Sequence, residues 1–214
     1  MFFQKNMLDE PCECYHMERY DESVRGMNKD NAKYLLSTLN RVFKENGVKL
    51  ILSYGTLLGA IREHDFITHD YDMDTMIWAK DMQKALDLAS ELEKYDIHLH
   101  CYVLPWIFSY EYKGVVCDID MLHEAIWPWK IRYCLTHEMY IPKEFFENTR
   151  EIDFLGEKYF VPADTEKVLV YHYGKSWRIP SSKSGRVESY FFFWRYAHRF
   201  YQRCLRWLKR KLKR

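Results

Sequence analysis

Thr68-His69-Asp70-Tyr71-Asp72-Met73-Asp74 places three aspartates at alternate positions. Side chains along an extended strand repeat every two residues, so this spacing predicts three carboxylates on one face. Like charges held that close destabilise one another unless a cation neutralises them. Hard oxygen donors suit Mg²⁺ or Mn²⁺. The chemistry that uses such a cluster is phosphoryl or nucleotidyl transfer.

Upstream lies Tyr54-Gly55-Thr56-Leu57-Leu58-Gly59, followed by Arg62. Glycine lets the backbone approach a phosphate, and a helix that follows offers free N–H groups. Gly55, Thr56 and Gly59 are thus candidate phosphate-binding positions, and Arg62 can fork onto a phosphate. Two glycines four apart serve equally well in a turn that only packs on a sheet. Downstream, Val115-Val116-Cys117-Asp118-Ile119-Asp120-Met121 repeats the two-residue acid spacing within an apolar strand. Carboxylates at the edge of a core are costly without a partner. Asp118 and Asp120 are therefore candidates to complete the cation site from a second strand. Cys117 beside them reads as a core residue.

Working outward, Leu35, Leu36, Leu39, Val42 and Phe43 recur at helical spacing. They predict a helix capped by Asp30 or Asn31 and ended by Asn46-Gly47. Strands are expected at Val48–Ser53, Tyr71–Trp78, Ile97–Leu104 and Phe108–Met121, the last turning at Lys113-Gly114. A helix from Asp81 to Tyr95, a β pair over Ile152–Val161 turning at Gly156, and a helix starting at Pro162 complete the pattern. Helices and strands mixed in this order indicate an α+β fold, a mixed β-sheet flanked by helices.

The chain has 214 residues and a hydrophobic fraction of 48%, enough for one compact catalytic unit. Its net charge of +1 hides an asymmetry. From Ser189 to Arg214 there are nine Lys or Arg and no acid, so residues 1–188 carry all 31 acids against 23 bases. That distribution does not fit a uniformly basic nucleic-acid-binding module. Three segments follow: an irregular one over 1–28, a catalytic domain over 29–185, and a basic aromatic tail over 186–214. On a helical wheel Phe193, Phe200 and Trp207 group apart from Arg195, Arg199 and Arg203. Such a helix suits the plane of an anionic membrane; a packed helix or an RNA-binding one are the alternatives. No stretch is long and apolar enough to span a bilayer. The first residues lack the apolar run of a signal peptide. The six cysteines, Cys12, Cys14, Cys101, Cys117, Cys134 and Cys204, form no regular framework. The expectation is a cytoplasmic protein with reduced thiols, peripheral on the cytoplasmic face of a membrane. Cys12, Cys14 and His16 lack a second cluster at zinc spacing and read as surface residues.

Two blocks in order carry a family resemblance. The first is Tyr54 to Glu63, Asp65-Phe66-Ile67, and Asp70 to Asp74. The second is Phe154-Leu155-Gly156-Glu157-Lys158, Val161-Pro162, Glu166-Lys167-Val168-Leu169 and Tyr173-Gly174-Lys175-Ser176-Trp177, ending at Pro180. Together they resemble the LicD family, which includes the fukutin-type transferases. The resemblance covers about Asn31 to Pro180. It implies a nucleotidyltransferase-like fold and transfer of a phosphorylated alcohol from a CDP-activated donor to a glycan. It implies that Asp72 and Asp74 form the metal-binding D-x-D, with Asp70 the acid before it. The third metal carboxylate falls at Asp118 or Asp120, with Asp118 preferred, and all four of Asp72, Asp74, Asp118 and Asp120 count as catalytic. One departure is Thr68-His69, where the family carries Pro-Trp; His69 either meets a substrate or fills the place of the Trp. Lys167, Tyr173, Lys175 and Trp177 are further candidates for substrate contact, against the alternative of a helix packed on the sheet.

These readings converge on a metal-dependent phosphotransferase. The resemblance implies a CDP-activated donor for it, with phosphocholine the first expectation for the transferred group and ribitol phosphate or similar the next. Its acceptor is a cell-surface glycan or lipopolysaccharide precursor, and no specific nucleic acid is expected. One alternative is a true nucleotidyltransferase acting on RNA or a small molecule; Gly55-Thr56, where such enzymes carry Gly-Ser, argues against it. The other is a non-catalytic, membrane-associated glycan-binding protein. The aspartates argue against that, because buried unpaired acids only destabilise.

Overall fold

The computed structural model describes residues 26–125, 133–136 and 140–180. Residues 1–25 of the expected N-terminal segment and the whole basic tail, with Phe193, Arg195, Arg199, Phe200, Arg203 and Trp207, lie outside them. Among the described residues, no helix is long and apolar enough to cross a membrane.

Helix α1 spans Lys29–Glu45 and buries Leu35, Leu36, Leu39, Val42 and Phe43, the face its spacing predicts. Its cap is Asn28, not Asp30 or Asn31: the Asn28 side chain accepts the Asn31 N–H. Asp30 then falls in the first turn and Lys44 in the last, both favourable to the helix dipole. The next strand, β1, is only Ile51–Leu52, shorter than expected. Helix α2 (Tyr54–Arg62) and strand β2 (Asp72–Trp78) follow. The expected helix from Asp81 to Tyr95 is broken into α3 (Met82–Asp87) and α4 (Ala89–Leu92), with single 3₁₀ turns on either side.

Strands β3 (His98–Val103), β4 (Ile107–Tyr112) and β5 (Val115–Glu124) form an antiparallel run, with the tight turn at Lys113-Gly114. Short strands β6 (Tyr133–Leu135) and β7 (Tyr140–Pro142) and a helical turn α5 (Glu144–Glu147) come next, none of them anticipated. Hairpin β8 (Thr149–Phe154) and β9 (Glu157–Pro162) turns at Leu155-Gly156, both left-handed. Pro162 ends that strand, and helix α6 begins later, at Thr165–Tyr173.

The sheet is mixed, ordered β3-β4-β5-β2-β1-β9-β8, with β6 and β7 off this path. Its central pair, β2 and β5, is parallel, whereas β5 meets β4 in antiparallel register. One face carries Phe108, Tyr110, Cys117 and Ile119 and packs on α1, where Phe43 meets Tyr110 edge-on at 6.4 Å. The Tyr110 hydroxyl donates to the Ala85 carbonyl of α3. The opposite face holds the acids.

Candidate active site

In the parallel β2/β5 pair Asp74 is the register partner of Asp118, and Met76 that of Asp120. Register partners project to the same face. Asp72, Asp74, Asp118 and Asp120 therefore share one face, with Ser109 of β4 opposite Asp118 and Ile107 opposite Asp120. Asp118 and Asp120 are 5% and 6% exposed, while Asp72 and Asp74 are half-buried.

Asp70 reaches the cluster by a different route from the one its spacing predicts. It precedes β2, and its N–H closes a turn onto the Ile67 carbonyl. Its carboxylate lies at the start of α2. A Cβ on Gly55 would stand 2.7 Å from Asp70 Oδ2 and 3.1 Å from Asp74 Oδ2, so only glycine admits both acids there. Burial pushes the Asp70 carboxyl up to about 6, and the charge of Asp72 adds to this; His69 and Arg62 pull the other way.

The backbone locks α2 to the cluster. The Gly55 N–H donates to Asp74 Oδ2 at 2.9 Å, and the Asp74 N–H donates to Thr56 Oγ1 at 2.8 Å. Ser53 precedes the helix, its hydroxyl buried and without a hydrogen-bond partner among the described residues. An orphaned hydroxyl at the amide end of a helix offers a donor to an anion. Tyr54 between them takes the left-handed φ of +37°, the kind of local strain that sits at functional turns.

Other candidates are held by the protein itself. Gly59 packs against loop backbone: a Cβ there would stand 2.6 Å from the Asp65 carbonyl oxygen. The Arg62 guanidinium pairs with Glu63 and donates to the Trp177 carbonyl at 3.2 Å, tying α2 to the segment after α6. Trp177 is 4% exposed, with the Arg178 guanidinium over its ring. Lys167 is exposed and pairs with Asp164 at 2.6 Å, while Lys175 and His69 are exposed. Tyr173 is half-buried; burial pushes its phenol up, and the charges of Asp74 and Asp70 push the same way. Cys117 is fully buried with its thiol pushed far up, so it is no nucleophile.

Residues 47–164 match the LicD/FKTN/FKRP nucleotidyltransferase domain, more than half of the chain. The chain belongs to this family. A search of curated proteins found no match. Among solved structures, the chain is similar to the antibiotic-resistance factor ANT(2'')-Ia in solution, at 13% identity over 67% of this chain and 70% of that one, with a TM-score of 0.48. It is also similar to the lincomycin-bound lincosamide antibiotic adenylyltransferase LnuA, at 13% identity over 74% of this chain and 92% of that one, with a TM-score of 0.47.

Carboxylates from two adjacent strands beside a helix amide end are oxygen donors of the kind that a hard cation takes. The register aligns them on one face without drawing them to one point. Among the described residues, no three His, Cys, Asp or Glu side chains are grouped closely enough to hold an ion. Two contributors escaped the sequence reading. Ser109 sits in the buried run Ile107-Phe108-Ser109-Tyr110, where a lone hydroxyl among apolar residues is the available signal. Ser53 carries no sequence signal beyond its place at the end of the expected strand Val48–Ser53.

Proposed function

We propose that this LicD-family chain is a metal-dependent phosphotransferase that moves a phosphorylated alcohol from a CDP-activated donor to a hydroxyl of a glycan or glycolipid. The observation that carries the reading is the side-by-side placement of Asp74 and Asp118, with Asp72 on the same face and the α2 amide end beside them. Asp72, Asp74 and Asp118 would hold Mg²⁺ or Mn²⁺ by swinging their carboxylates together from the face they share, with Asp70 next to them. A bound cation supplies neutralisation of the donor diphosphate and of the departing CMP. The Ser53 hydroxyl at the α2 amide end is the donor toward the diphosphate, while the Gly55 N–H holds Asp74. The acceptor hydroxyl attacks the β-phosphorus in line; its O–P bond forms as the bond to CMP breaks. The acceptor's proton passes to Asp120, one row away from Asp118.

Phosphocholine is the first choice of alcohol phosphate and ribitol phosphate the second, both from the family resemblance. The test is incubation with a panel of CDP-alcohols and Mg²⁺, following CMP release with and without candidate glycans. No CMP release from any member of the panel overturns the reading. The tail over 186–214 is proposed to hold the protein on an anionic membrane surface. Truncation after about Gly185 then releases it from anionic vesicles in a co-sedimentation assay, and equal sedimentation of both forms excludes a tail anchor.

A further inference from the structure

We infer that Ser109 is a positioning residue, which orients the Asp118 carboxylate for the proposed cation site. This rests on the phosphotransferase reading above. Ser109 and Asp118 are directly opposite in the antiparallel β4/β5 pair. The Ser109 hydroxyl donates to Asp118 Oδ1 at 2.6 Å. That length is typical of a hydroxyl on an ionised carboxylate, among the stronger hydrogen bonds of a protein. Ser109 is 1% exposed, so the bond forms with little competition from water.

The surroundings show why this serine matters. Its neighbours along β4, Ile107, Phe108 and Tyr110, are all buried, and a hydroxyl among them is costly unless it has a partner. One row of the sheet therefore runs Asp74, Asp118, Ser109 across three strands, and each acid in it has its own donor: the Gly55 N–H on Asp74, the Ser109 hydroxyl on Asp118. The Asp118 backbone is pinned as well, since Thr75 Oγ1 donates to its carbonyl at 2.9 Å. The next row differs, with Met76 and Ile107 on either side of Asp120. A carboxylate with one oxygen held by a hydroxyl is oriented to coordinate through the other. Mg²⁺ tolerates little departure from octahedral geometry, so such outer partners typically change metal affinity by about 10–100-fold.

The test is Mn²⁺ binding to the full chain, read from the electron paramagnetic resonance of free Mn²⁺, with thermal melting in EDTA as the check on folding. Ser109→Ala is expected to melt cooperatively and to bind Mn²⁺ about 10–100-fold more weakly. Ser109→Thr, which keeps the hydroxyl, is expected to recover most of that loss. In an Asp118→Asn background the Ser109→Ala change is expected to cost no further affinity, because Ser109 acts through that carboxylate. Wild-type Mn²⁺ affinity in folded Ser109→Ala overturns the inference, as does a full additional loss in the Asp118→Asn background. If Ser109→Ala does not fold, Ser109→Cys replaces it, and wild-type affinity there has the same force. Asp74→Asn separates the two levels. If neither it nor Ser109→Ala changes Mn²⁺ binding, or the wild type binds none, the metal reading itself fails. If Asp74→Asn weakens binding and Ser109→Ala does not, only the role of Ser109 fails.

Discussion

Asp74 and Asp118 are register partners across the parallel β2/β5 pair, each held by a separate donor, the Gly55 amide and the Ser109 hydroxyl. Two acids so placed repel each other in the protein alone, and on the proposed reading they would cooperate toward a cation.

Replacing either D-x-D acid tests that cooperation. Asp72→Asn or Asp74→Asn should lower transfer by about a thousandfold or more, the loss of several kcal/mol of charge stabilisation. Melting temperature in EDTA should stay level or rise, since carboxylate repulsion falls. Near-normal turnover of either variant at saturating Mg²⁺ would contradict the assignment.

Asp70 makes the repulsion visible as a pH dependence. Its carboxyl is pushed up to about 6 by burial and by Asp72. A raised folded-state pKa means the stabilising form is the protonated one. That stability is complete below the ordinary carboxylate value and is lost as pH rises through about 6. Asp70→Asn should therefore melt higher than wild type at pH 7–8 in EDTA, the gap closing toward pH 4. A gap independent of pH between 4 and 8 would exclude Asp70 as its source.

The two glycines of α2 should respond differently to alanine. At Gly55 the new methyl meets the ends of two carboxylates, which can swing aside. Gly55→Ala should keep the fold and lose Mn²⁺ affinity and turnover. At Gly59 the methyl meets the Asp65 carbonyl oxygen and the Ile67 nitrogen, both backbone. Gly59→Ala should lose about 1–3 kcal/mol of stability, the usual range for overpacking. Chemical denaturation paired with metal titration reads both, and equal loss of stability in the two variants would refute the distinction.

His172 sets an acid limit on the fold. It is 2% exposed, stacks edge-on to Tyr54 at 4.9 Å, and has no hydrogen-bond partner for either ring nitrogen among the described residues. Burial pushes its pKa down to about 4. The unfolded chain then takes up the proton first, so stability falls as pH drops from about 6.5 toward 4. The full effect is on the order of 3 kcal/mol. His172→Phe should remove this part of the acid sensitivity, seen as a flatter plot of unfolding free energy against pH. An unchanged slope between pH 6.5 and 4 would show that other groups dominate.

Periodicity along the chain made several features legible. The 3.6-residue recurrence of Leu35, Leu36, Leu39, Val42 and Phe43 marked the buried face of α1, and the alternation of Asp72 and Asp74 put them on one side of β2. Asp118 and Asp120 were legible as a pair for the same reason. These are properties of a residue and its near neighbours, and local backbone geometry enforces them. What lies across the sheet was not legible. Nothing local states that Asp118 rather than Asp120 stands beside Asp74, that Ser109 faces Asp118, or that Arg62 reaches the Trp177 carbonyl. Strand register is decided by which distant segments pack together. A shift of one residue would turn every acid of β5 to the opposite face. The residue types that make the chemistry were thus written in the sequence, while their grouping into a site came only with the tertiary pairing of β2, β4 and β5.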